Sequence, residues 1–429
     1  MKTLLFAATL MSSSAFAQCG GAPGNTHTNP DASSGGFVAA TATVTPGVYL
    51  SAAAEVCDTA IVQGGVQVLG NTRVLNNAKI ESGSGGAAAI IENALVAGSA
   101  FISGPARVRQ GAIVRGQAKL LGAVKVEGTQ AVQETGPIVE GQAILRNISE
   151  VRDTARVYGQ ALLRGAGKVQ GTARVYGQAQ VYDSATVTGN SRVYGRAHIS
   201  EAAQVLGTAQ VYDSAQISGD ALISGNSRVY GFAVIRFQSV VTDTAHAYGH
   251  AHVALATGAN YGIRGSARVF DQAELYNNTL VNENAVVNGL AFLNNATVTN
   301  RAIVSEEAVV ENASVRDFAL VKGEAHVLAG EVREDAQVYG KARLQSGNPQ
   351  VYGSAQVFQE AVLEGNALVY GRSQVYGAAT VRGKVYQSGQ VLGESVVEAT
   401  GVVGGNARIT GTRVVTTTVL RDDALVGAE

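Results

Sequence analysis

Three histidines fall within seven residues, His246, His250 and His252 in the run HAYGHAH. Imidazole titrates near neutrality, so such a cluster can supply a general base or metal ligands. No acidic residue stands at a spacing that suggests a partner, and solvated surface histidines are the competing reading. The two cysteines, Cys19 and Cys57, are too few for a metal site. In an oxidising compartment they can form a disulfide that ties residues 20–36 to the first turns of the fold. The third set is far more regular. Tyr158, Tyr176, Tyr194, Tyr212, Tyr230 and Tyr248 recur every 18 residues. Each follows a Val, except Tyr248, which follows Ala247. Arg156, Arg174, Arg192, Arg228 and Arg268 stand immediately before that aliphatic position, and the aromatic series continues at Phe270, Tyr339, Phe358 and Tyr376. Such a stripe is expected to bind a repeating ligand through rings and guanidiniums. The alternative is a purely structural stack of rings.

A residue type that recurs every 18 positions needs an element that advances one turn per 18 residues. From Val175 the chain reads VYGQAQ, VYDSAT, VTGNSR, VYGRAH, ISEAAQ, VLGTAQ, VYDSAQ. Each six-residue block opens with Val or Ile, has Gly, Asp or Glu third, and has Ala or Ser fifth. Aliphatic residues every six positions cannot stay on one face of a helix. The small residue lies two before each aliphatic one, so in a strand both point inward. Gly or Asp third suits a corner. Three such strand-and-corner units close a triangular coil, and coils stack about 4.8 Å apart.

The irregular blocks support three sides per coil. Side one starts at Val151, Val169, Val187, Val205, Ile223, Val241, Ile263, Val281, Val298, Val315 and Val332. On that numbering side three includes Val253, Leu293, Val310, Val327, Leu344 and Val381, and the irregular blocks that start at these six all fall on one side. One edge therefore absorbs insertions, as in repeat proteins generally. N-terminal of Val139 the irregular stretches Ile80 to Ile90 and Val132 to Val139 leave the sides unassigned.

These hexads resemble the bacterial hexapeptide-repeat superfamily over about nine-tenths of the chain. One departure is that Tyr often directly follows the aliphatic residue, with Gly one place later. The resemblance implies an all-β, single-stranded left-handed parallel β-helix, although ordinary crossover chirality would favour the opposite hand. It also implies an alternative function, acyl transfer with a histidine of the 246–252 cluster as general base. Ice binding is a third reading, because some β-helices bind ice through threonine ranks, but Thr188, Thr242 and Thr299 are scattered.

Lys2, the apolar run Leu4–Met11 and Ala15-Phe16-Ala17 form an export signal with cleavage after residue 17. The expected organisation is residues 1–17 signal peptide, 18–37 flexible lead-in, and 38–429 a solenoid of about 22 coils. Location is then the periplasm, the cell surface or the medium. A net charge of -1 argues against nucleic acid as a partner. No segment is long and apolar enough to cross a membrane as a helix. There is no P-loop, HExxH motif or serine elbow, and no cofactor is expected. The resulting expectation is a structural or adhesive rod whose partner is an envelope or capsular polysaccharide. Oligomers, including a homotrimer or an edge-capped form, are compatible with it.

Overall fold

A computed structural model describes residues 18–83, 89–130, 135–256, 261–416 and 419–426. Residues 1–17, where the sequence leads us to expect an export signal, lie outside them. The chain divides into two compact units, Met1–Gly171 and Thr172–Glu429, and each is a parallel β-solenoid. Together they contribute about 21 turns. Among the described residues no helix is long and apolar enough to cross a membrane.

The hexad maps directly onto each turn. Val175, Val193 and Val211 pair in register and are fully buried. Ala173, Ser191 and Ala209, two residues earlier, are also buried. The interior is thus a stack of Val, Ile, Leu and Ala, with a few inward hydroxyls, most of them bonded to nearby carbonyls. Ser191, for example, donates to Thr188 O at 2.7 Å. Between coils the backbone pairs with the coil above, as in Tyr194 N to Val211 O at 3.0 Å. The third position turns the corner in the left-handed backbone region. Gly177 has φ 72° there, and a Cβ on it would come within 3.1 Å of Gly195 N. Asp213 takes the same conformation at φ 57°, and its carboxylate accepts from Gly231 N at 3.2 Å. Asp at a corner therefore offsets its backbone cost with a hydrogen bond to the next coil.

In the second unit Val253, Leu293, Val310, Val327, Leu344 and Val381 all lie on one sheet, side three. The first unit can now be assigned. Ile80 is on side three and Ile91 on side one, so the excess between them sits at the same corner. Val126 is on side one and Val139 on side two, so the stretch between them is an insertion at a different corner.

The segment 18–37 is not the flexible lead-in its composition suggested. β1 (Gly24–Thr28) and β2 (Ser34–Ala39) form an antiparallel hairpin, and Phe37–Val38 then pairs parallel with Glu55–Val56. The buried side chain of Asn29 explains the order. Its Nδ2 donates to Leu50 O at 3.0 Å, and its Oδ1 accepts from Leu50 N at 2.8 Å. An amide side chain thereby occupies both backbone groups of an inward residue, and the hairpin covers an edge that would otherwise be open.

Cys19 and Cys57 are disulfide-bonded, with Cα atoms 5.5 Å apart and a separation of 38 positions in sequence. Closing a loop of that length is worth about 3–4 kcal/mol. Reduction should therefore increase amide exchange in residues 24–62 and leave the second unit unchanged. Identical exchange with and without reductant would show that the bond adds nothing to the hairpin.

Candidate ligand-binding face

Because successive residues of a strand alternate in direction, the residues flanking each buried Val of side two both face outward. In the second unit they form two ranks. The rank after the buried position is aromatic. Ring centroids are 5.0 Å apart for Tyr176 and Tyr194, and 4.9 Å for Tyr194 and Tyr212. They are 4.9 Å for Tyr212 and Tyr230, and 4.8 Å for Tyr230 and Tyr248. Phe270 extends the stack at 4.8 Å from Tyr248, and no pair departs from parallel by more than 4°. The spacing of coils thus sets the spacing of rings. Each interior ring has a ring on both faces, as the one-coil spacing of the tyrosines led us to expect. What remains for a ligand is edges and hydroxyls. Burial and the neighbouring phenols push the Tyr212 hydroxyl up to about 12, which keeps it a donor at neutral pH. Tyr158 and Arg156 occupy the same two places on side two of the first unit, half-buried and exposed respectively.

The rank before the buried position is cationic but interrupted. It runs Arg174, Arg192, Gln210, Arg228, His246, Arg268. Only Arg174 and Arg192 are direct neighbours, so like-charge repulsion is smaller than an unbroken row would impose. Elsewhere in the molecule arginines meet acids across coils: Arg115 with Glu140 at 2.6 Å, Arg316 with Glu331 at 2.5 Å, Arg382 with Glu364 at 2.8 Å. Among the described residues, no ion pair engages Arg174, Arg192, Arg228 or Arg268.

The three histidines occupy different surfaces. His246 is half-buried within the cationic rank of side two, and burial, then Arg228 and Arg268, lower its pKa. His250 is exposed at the next corner, stacked on Phe232 at 4.9 Å. His252 is on side three. They do not assemble one site. His252 does have the acidic neighbour that sequence spacing failed to reveal. Its Nδ1 lies 3.1 Å from the Tyr276 hydroxyl, which donates to Glu274 Oε2 at 3.1 Å. Glu274 pairs with His252 because the coil between them is lengthened, which disguises the spacing. Of the inserted stretch, residues 258–262, residues 258–260 lie outside the described residues. Burial lowers the pKa of His252, with Arg236 acting in the same sense and Glu274 opposing.

A further ladder went unrecognised in the sequence. Tyr352, Tyr370 and Tyr386 stack on side one at 4.9 and 5.5 Å, with the Arg333 guanidinium 4.3 Å over Tyr352. The repeated VYG at 351 and 369 is its signal, and the clipped block from Val381 breaks the spacing to the third ring. Tyr339, Phe358 and Tyr376 stack on side two at 4.9 and 4.8 Å. Thr188 and Thr242 share side one with Leu206 and Ser224 between them, so no regular threonine rank forms there; Thr417 and Thr418 lie outside the described residues.

Residues 179–195 and 215–231, within this ladder region, match the family model of the YdcK beta-solenoid repeat. The match agrees with a β-helix repeat protein and is confined to those two stretches. No curated protein matches the chain.

Proposed function

We propose that this chain is an exported hexapeptide-type rod, structural or adhesive, that binds a repetitive anionic envelope polysaccharide along side two. The observation that carries the reading is the cationic rank. Arg174, Arg192, Arg228 and Arg268 project beside a row of phenols, and among the described residues none of the four is in an ion pair, whereas Arg115, Arg316 and Arg382 each meet a carboxylate. A polyanion would supply the missing charge. Because the ring faces are occupied by one another, contact is through guanidiniums and tyrosine hydroxyls. Each contact is weak, and repetition over several coils makes the sum tight.

The test uses two sets of substitutions. Phe270 stacks in the ladder as well as any tyrosine, so Tyr176→Phe, Tyr194→Phe and Tyr212→Phe together should preserve the stack while removing three hydroxyls. Binding to polygalacturonate should fall several-fold at an unchanged melting temperature. Arg174→Gln with Arg192→Gln should weaken binding further and flatten its dependence on salt. A parent protein that fails to bind any member of a broad array of acidic bacterial polysaccharides would leave the ladder a purely structural device.

A further inference from the structure

Side three of the second unit carries a different feature. Its outward rank after the buried aliphatic position runs Tyr182, Ser200, Ser218, Arg236, Ala254, Tyr276. Two small serines between larger side chains leave a cleft of about 600 Å³, lined by the cations Arg196 and Arg236, the single acid Glu201, and His198 and Gln216 among others. Ala254, between Arg236 and Tyr276, leaves a second of about 590 Å³. Phe237 lines both, and Arg236 lines the first.

Phe237 is anomalous. Its φ is 57°, in the left-handed region, and its side chain is 60% exposed. The equivalent corners of the two preceding coils carry Glu201 and Gly219. Among the described residues no other aromatic residue has a positive φ. A bulky residue held in that region is an outlier from which a functional role is a fair inference. The packing that enforces it is specific. The Phe237 backbone sits over Gly219, where a Cβ would come within 2.6 Å of Phe237 N. The buried Ser239 hydroxyl donates to Arg236 O at 2.5 Å and accepts from Leu255 N at 3.0 Å. An exposed ring and an exposed guanidinium are thus fixed side by side on a rigid turn, beside a floor of hydroxyl and amide groups.

We propose that this cleft binds one acidic sugar residue, a pyranose bearing a carboxylate, independently of the tyrosine ladder. The apolar face of the pyranose packs on the Phe237 ring. Its carboxylate meets the Arg236 guanidinium, which is in no ion pair among the described residues. Its hydroxyls reach Ser200, Ser218 and Gln216. Arg196 forms the opposite wall, already oriented by donating its Nε to Gln178 at 3.1 Å. A ring platform, a guanidinium and several neutral hydrogen-bonding groups together suit a carboxylated sugar better than a bare anion, which leaves the ring unused, or a neutral sugar, which leaves the cation unused.

The experiment is saturation-transfer NMR and calorimetry on the full chain with glucuronic and galacturonic acids, each beside its neutral parent sugar. The acids should bind and the neutral sugars should bind at least tenfold more weakly. Phe237→Gly should lose binding at least tenfold with a melting temperature equal to or above the parent's, because glycine is at ease at that φ. Arg236→Gln should bring the acids down to the level of the neutral sugars. No binding of any of the four sugars, equal binding of acid and neutral forms, or undiminished binding by Phe237→Gly would each overturn the proposal. The Tyr176→Phe, Tyr194→Phe, Tyr212→Phe protein should bind these monosaccharides as the parent does, so failure of the cleft and failure of the ladder are told apart.

Discussion

Val193→Asp should abolish cooperative folding of the second unit. Val193 is fully buried, with Val175 below and Val211 above it in register. A carboxylate there meets an aliphatic interior with no cation to pair with. Ionised, it carries a desolvation penalty of several kcal/mol; protonated, it leaves unbonded polar atoms in its place. The expected cost is about 4 kcal/mol or more, among the largest for a single change. It propagates, because each coil is stabilised by its two neighbours. Circular dichroism should show a lowered and broadened melt, and proteolysis should open the coils around residue 193. The control is Val193→Ala, since Ala247 already occupies the same rank. That variant should lose only about 2 kcal/mol. A Val193→Asp protein melting within a few degrees of the parent would contradict the inward rank on which the description of the fold rests.

Replacing Tyr176, Tyr194 and Tyr212 together with Ser should destabilise the middle of the ladder whether or not it binds anything. Three stacked pairs disappear: Tyr176 with Tyr194, Tyr194 with Tyr212, and Tyr212 with Tyr230. At about 0.5–1.5 kcal/mol each beyond area burial, the loss is roughly 2–4 kcal/mol. Hydrogen exchange should place it in coils 174–230, with coils beyond residue 300 unaffected. The triple Phe variant should be close to neutral, since it keeps the rings. A Ser triple as stable as the parent would mean that the stack contributes nothing to the solenoid. Comparing the two triples on stability and on polysaccharide binding separates the ring's part from the hydroxyl's.

Much of this architecture was legible because it is written in local periodicity. A buried aliphatic at every sixth residue, a small residue two before it and a corner residue two after it are each decided within one strand and one turn. The Tyr and Arg ranks follow, since residues flanking an inward position must face out. The 18-residue period places them on one side. Even the anomaly at Phe237 had a trace, a phenylalanine where the repeat puts Gly, Asp or Glu in the block IRFQSV. The histidine placements on side two, a corner and side three were readable from the same count.

What the tertiary structure decided is whatever depends on distances between coils of unequal length or on how side chains share space. Glu274 faces His252 only once the enlarged coil is laid on its neighbour. The rings of side two consume one another's faces because coil spacing matches stacking distance, a fact about the pile of coils and not about any one repeat. The hairpin over residues 24–39 depends on Asn29 reaching a backbone 21 residues away, which a composition rich in Gly, Ser and Asn conceals. The cleft of side three exists because two serines on successive coils leave room beside a turn locked by Ser239. Periodicity determines which way a side chain points. Only the stacking of the coils determines what it meets there.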